Sequence, residues 1–173
     1  MMRNALVAGL TVALLGIGAS AVQAQKPGDG CSVLQGPEVQ ALAGSTKVGT
    51  GKPETDALGS RLCRYEWGTG NNVPSGRSVL DVSITPISKA FPGTDASVLR
   101  QGLLAKAGPP NTAVIPAVGD AAVYESNDPI RVETTALVKG NMLIVTFESK
   151  DARAKKDQVI ALLNAAAARL QHE

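Results

Sequence analysis

Few side chains in this 173-residue chain have the type and spacing to do chemistry. Cys31 and Cys63 are its two cysteines. They lie too far apart to form a redox C-x-x-C motif, and no histidine is near either in sequence to activate a thiol or complete a metal site. In an oxidising compartment the default for such a pair is a disulfide, and closing that loop stabilises a fold by about 3–4 kcal/mol. A reactive thiol or a two-cysteine metal site is the alternative. The one histidine, His172, stands next to the last residue, a poor place for the base that a serine or cysteine nucleophile needs.

Acid–base chemistry without histidine needs two carboxyl groups in one cleft. The candidates are Glu54 with Asp56, and Asp120 with Glu125. Two glycine-rich stretches, beginning at Gly49 and Gly68, lack the phosphate-loop spacing and do not clearly lead into a helix. Asn127-Asp128-Pro129 reads as turn chemistry rather than a calcium loop. The sequence therefore assigns no catalytic residue, no cofactor site and no metal site. Its candidates for ligand or partner contact are Trp67, at the end of a strand, and Asn71 and Asn72 in the polar loop that follows.

The compartment is read from the start of the chain. Arg3 supplies a basic opening, Ala5 to Ala19 is apolar and small, and Val22-Gln23-Ala24 offers a cleavage site, with Ala19-Ser20-Ala21 a close second. Residues 1–24 are therefore expected to be a signal peptide. The apolar stretch is short of the roughly 20 residues of a spanning helix, and glycines dilute it, so a retained anchor is the weaker reading. The mature protein is expected to be periplasmic or secreted, with no stable membrane anchor. The formal charge of +2 falls to about +1 once Arg3 is lost, with no basic footprint for nucleic acid.

The remaining residues suit one domain, 31–173, behind a flexible lead-in at 25–30. A short helix follows, with Pro37 at its first position, Glu38 in its first turn and Gly44 past its end. Lys47 to Asp56 is at best an edge strand running into a loop. Leu62 to Trp67 is a strand with Cys63, Tyr65 and Trp67 on one side, and Gly68 to Gly76 is a polar hairpin loop. Ser78 to Ile87 alternates Leu80, Val82 and Ile84 with polar residues. A middle helix spans about Asp95 to Ala107, with Thr94 as N-cap and Val98, Leu99, Leu103 and Ala107 as its apolar stripe. A strand at Ala121–Glu125 and a hairpin of Ile130–Val138 with Met142–Glu148 follow, then a helix from Asp151 to Leu170. In that helix Arg153, Lys155 and Lys156 read as a solvated basic face. The expected fold is α+β: a two-layer sandwich in which N-terminal, middle and long C-terminal helices cover one face of a curved antiparallel sheet of five or six strands.

Cys31-Ser32-Val33-Leu34, Glu38-Val39, Gly44, Cys63-Arg64-Tyr65 and Val118-Gly119-Asp120 form a pattern. It resembles a diffuse group of small exported bacterial domains of unknown function, similar to the PsbP/Mog1-type sandwich. The resemblance implies a curved antiparallel sheet with packed helices and supplies no catalytic residues. Many of that group are lipid-anchored, whereas this chain lacks the anchor cysteine.

The function that follows is an exported, non-enzymatic domain binding an unknown protein or small ligand through loops at a sheet edge. A carboxylate-dependent envelope hydrolase and a structural or stress-related envelope protein are the alternatives.

Overall fold

The computed structural model describes residues 30–173. The signal peptide and all but the last residue of the lead-in lie outside the described residues. The elements are α1 (Gly36–Ala43), β1 (Lys52–Thr55), β2 (Arg61–Gly68), β3 (Arg77–Pro86), α2 (Ile87–Ala90), α3 (Ala96–Leu104), β4 (Thr112–Val114), β5 (Ala121–Glu125), β6 (Arg131–Val138), β7 (Asn141–Glu148) and α4 (Lys156–His172). One turn of 3-10 helix, Ala152–Lys155, leads into α4.

The strands form a single antiparallel sheet in the order β1-β2-β3-β7-β6-β5-β4. The expected α+β class is correct, but the sheet has seven strands. The one missed is β4, three residues with Val114 half-exposed, too short to show alternation.

Alternation along the strands sorts the sheet into two faces. One carries Cys63, Tyr65, Trp67, Leu80, Val82, Ile84, Val132, Ala136, Val145 and Phe147, and it packs beneath α1 and α4 in the main core. The other face is ion-paired toward β2 and β3, where Arg64 grips Asp81 through two bonds of 2.7 and 2.8 Å. Toward β5 it is apolar, and there Ala121, Val123 and Leu137 pack against Leu103 of α3. Leu137 alternates with Ala136 and Val138 in β6, so α3 must lie on the side opposite α4. The two-layer expectation is corrected: helices cover both faces.

Three further details depart from expectation. Asp95, not Thr94, caps α3, its carboxylate accepting from the Ser97 N–H at 2.6 Å. Pro86 ends β3, and Ile87 opens the short α2. The basic cluster at the start of α4 is only partly a solvated face: Arg153 is exposed but donates to the Ser126 carbonyl at 2.9 Å, Lys155 Nζ donates to the Leu42 carbonyl at 2.8 Å, and Lys156 lies 4.8 Å from the Tyr124 ring centroid. These long side chains find carbonyls and rings from distant elements, a use that sequence spacing does not display.

The bridge between Cys31 and Cys63 is present, and both residues are buried. It joins the segment entering α1 to β2. A second tie holds α1 to α4: Arg169 donates to both Glu38 oxygens at 2.8 and 2.6 Å and to the Val33 carbonyl at 2.8 Å. Burial alone would raise the Glu38 carboxyl. The Arg169 hydrogen bonds, the Gln35 N–H and the arginine charge outweigh it and hold the group below its ordinary 4.5. A depressed carboxylate adds stability in full above its unfolded value, and that stability is lost as pH falls through the folded one. Arg169→Gln is therefore expected to cost about 1–3 kcal/mol at pH 7, by leaving half-buried acceptors short of a donor. In urea titrations at pH 7, 5 and 3 the deficit should shrink below pH 4.5. A deficit that does not change with pH would assign the loss to packing alone.

Candidate functional site

The two faces of α3 set up the site. Leu103 turns into the small core formed with β5 and β6, and Leu99 packs at its edge. Val98, expected to share that buried stripe, is instead 57% exposed, and Phe91 in the loop before α3 is 39% exposed. Both border an apolar groove between the helix and the sheet, with a volume of about 560 Å³. Its floor is β6 and β7, through Glu133, Thr135, Leu137, Met142 and Ile144.

Gly102 is the opening in the helical wall. It sits within α3 and lines the groove, and a Cβ built there would meet no atom within 4 Å. Glycine within a helix costs about 1 kcal/mol relative to alanine. No steric conflict requires it here, and its local effect is to leave the groove wide. Gly119 is the contrast: its φ is +54°, and a Cβ there would come within 2.2 Å of the Leu137 carbonyl oxygen, so that turn does require glycine.

The groove is graded along its length. Ile87 donates its N–H to the Gly140 carbonyl at 2.9 Å, which places α2 at the Leu137–Met142 end. With Phe91, this end is wholly apolar. Lys106 lies just past α3 and two residues before Gly108, which bridges to Thr112, and Thr112 is in register with Glu125 and through it with Glu133. Lys106 and Glu133 therefore mark the polar end.

The acids there are engaged. Glu133 accepts from Arg131 at 2.6 Å, Arg131 also lies 3.7 Å from Glu148, and Glu125 accepts from Asn127 at 2.8 Å. The Glu133 hydrogen bond, with the charges of Glu133, Glu148 and Glu125, keeps the Arg131 guanidinium above its ordinary range against the effect of burial. Among the described residues, the Lys106 ammonium and the Thr135 hydroxyl have no hydrogen-bonding or ionic partner.

The residues singled out from sequence lie elsewhere. Trp67 is 7% exposed, its ring stacked on Phe147 with centroids 5.7 Å apart. Trp67 and Asn71 border an open, polar depression, together with Glu66 and Arg77. Asn72 does not line it, because its side chain accepts from the Ser75 N–H at 2.9 Å within the loop. Asp120 directly precedes β5 and Glu125 ends it, five positions on, which separates their backbones by about 16 Å at roughly 3.3 Å per residue, at opposite ends of one strand, unlike a glycosidase pair in one cleft. Asp56 is taken up by the N–H groups of Leu58 and Ser60, at 2.9 and 2.8 Å. Its carboxyl is held below the ordinary value by those Ser60 and Leu58 hydrogen bonds, so it is poorly suited to be a general acid.

Sequence reasoning missed the groove, though one signal for it was present. Ala136-Leu137-Val138 and Ala121-Ala122-Val123 break the apolar/polar alternation, as strands covered on both faces do. Comparison with protein-family models, curated proteins and solved structures yields no match. No described helix is long and apolar enough to cross a membrane.

Proposed function

We propose that this chain is an exported, non-catalytic binding domain that takes one small molecule, apolar over most of its length, in the groove between α3 and the sheet. The observation that carries the reading is the groove held open at Gly102, with Phe91 and Val98 exposed along it. Its volume lies within the roughly 300–1,000 Å³ of small-molecule sites, and it has their composition of apolar walls with a few polar groups. Export is supported by the character of residues 1–24 and by a bridge that fits an oxidising, extracytoplasmic environment.

The test fills the groove without disturbing the core. Uptake of the neutral fluorophore N-phenyl-1-naphthylamine should be saturable in the parent protein. Gly102→Trp should weaken it by about tenfold or more, the worth of about 1.4 kcal/mol of lost contact. Gly102→Ala should preserve uptake and raise stability by about 0.5–1 kcal/mol. No uptake by the parent, or full uptake by Gly102→Trp, would overturn the groove. Loss of uptake in Asn71→Ala or Asn72→Ala would return the site to the 68–76 loop.

A further inference from the structure

Resting on that reading of the groove, we infer that its ligand is a medium-chain carboxylate, with the head group at Lys106 and Thr135 and the tail toward Ile87 and Phe91. The gradient of the lining sets the direction. An apolar chain gains most where α2 closes the Leu137–Met142 end, because that end offers its head group no hydrogen-bonding partner. The head belongs at the opposite end, where polar side chains reach the floor.

The charge of the head follows from which groups there are still free. Two charged residues line the groove, Glu133 and Lys106, and Glu133 is ion-paired with Arg131 through one carboxylate oxygen at 2.6 Å. Lys106 is the groove-lining charge that has no ionic or hydrogen-bonding partner among the described residues. The Thr135 hydroxyl is a second unfilled donor, on the floor of the same groove. Two donors, with the lining acid already neutralised by Arg131, fit a head with acceptor oxygens and one negative charge. A cationic head would meet a lining carboxylate, Glu133, already paired with Arg131, and the Lys106 ammonium repelling it.

A lysine just past a helix C-terminus also favours the helix dipole. That role would fix its effect on stability but not on the choice of ligand, so the experiment reads selectivity. Calorimetric titration of the bridged protein with decanoate, decan-1-ol and decyltrimethylammonium compares one chain length with three heads. Decanoate should bind about tenfold tighter than decanol, the worth of one charge-assisted hydrogen bond at a partly exposed site. Lys106→Gln should abolish that preference and leave decanol binding unchanged. Thr135→Val should reduce it.

Equal binding of decanoate and decanol, or a preference that survives Lys106→Gln, would overturn the carboxylate assignment. Tightest binding of the ammonium would do the same. In each of these cases the groove itself stands, provided Gly102→Trp still blocks decanol. If none of the three binds, both the head-group assignment and the groove fail.

Discussion

Phe147→Ala is expected to lower the unfolding free energy by about 3–5 kcal/mol, the cost of deleting a fully buried aromatic ring and leaving a cavity. Phe147 is the largest of the fully buried side chains. Its ring stacks on Trp67 at 15° between planes, and Lys155 Nζ lies 5.8 Å from its centroid. Removing it therefore strips a partner from β2 and from the turn that leads into α4. For a domain of this size the loss corresponds to a fall in Tm on the order of 10 °C. Trp67 is the single tryptophan, and its emission in urea titrations reports this core directly. Phe147→Leu, which refills most of the volume, should recover more than half of the loss. A deficit of under about 1.5 kcal/mol for the alanine variant would mean that α4 collapses onto the gap left by the ring.

Removing the bridge is the second large effect. Cys31 and Cys63 are 32 residues apart in sequence, and a loop of that size restricts the unfolded chain by about 3–4 kcal/mol in the chain-entropy account. Cys31→Ala with Cys63→Ala should lower stability by that amount, and the unfolded parent should refold with the same deficit when kept reduced. The damage should be confined to the α1 side of the sheet, where Val33 and Leu34 are buried beside the bridge. The groove, on the opposite face, should still take up the fluorophore in native buffer. Equal stability of bridged and cysteine-free proteins would show that the Arg169–Glu38 tie alone seats α1. Loss of uptake with stability retained would show that the two faces are coupled through the sheet.

Much of this architecture was legible in the chain. Leu80, Val82 and Ile84 alternate with polar residues and do point into the core. Gly44 does end α1, with a φ of +69°. The turn expected at Lys139-Gly140-Asn141 does join the long hairpin, as Lys139-Gly140, with Asn141 already in β7 opposite Val138 and the register running to Arg131 opposite Glu148. Each of these is a local matter of period, turn chemistry or backbone freedom, and such signals lie within a few consecutive residues. The cysteine pairing was also available, since two thiols admit one intramolecular partner.

The chain alone did not say which elements would meet. Its periodicity marks α3 as amphipathic, but α3 could lie on either face of the sheet, and only the covering of Leu137 and Val123 from the side opposite α4 decides it. That choice exposes Val98 and Phe91, opens the groove, and brings Lys106 to a floor built from residues about 30–40 positions further along. Lys155 and Lys156 likewise gain their roles from the Leu42 carbonyl and the Tyr124 ring. Sequence determined the α+β class, the principal helices and strands, and the staple, because backbone preference and side-chain alternation act between near neighbours. Tertiary structure alone decided the seventh strand, the placing of α3 and the site, because burial is a contest among distant surfaces that no local window records.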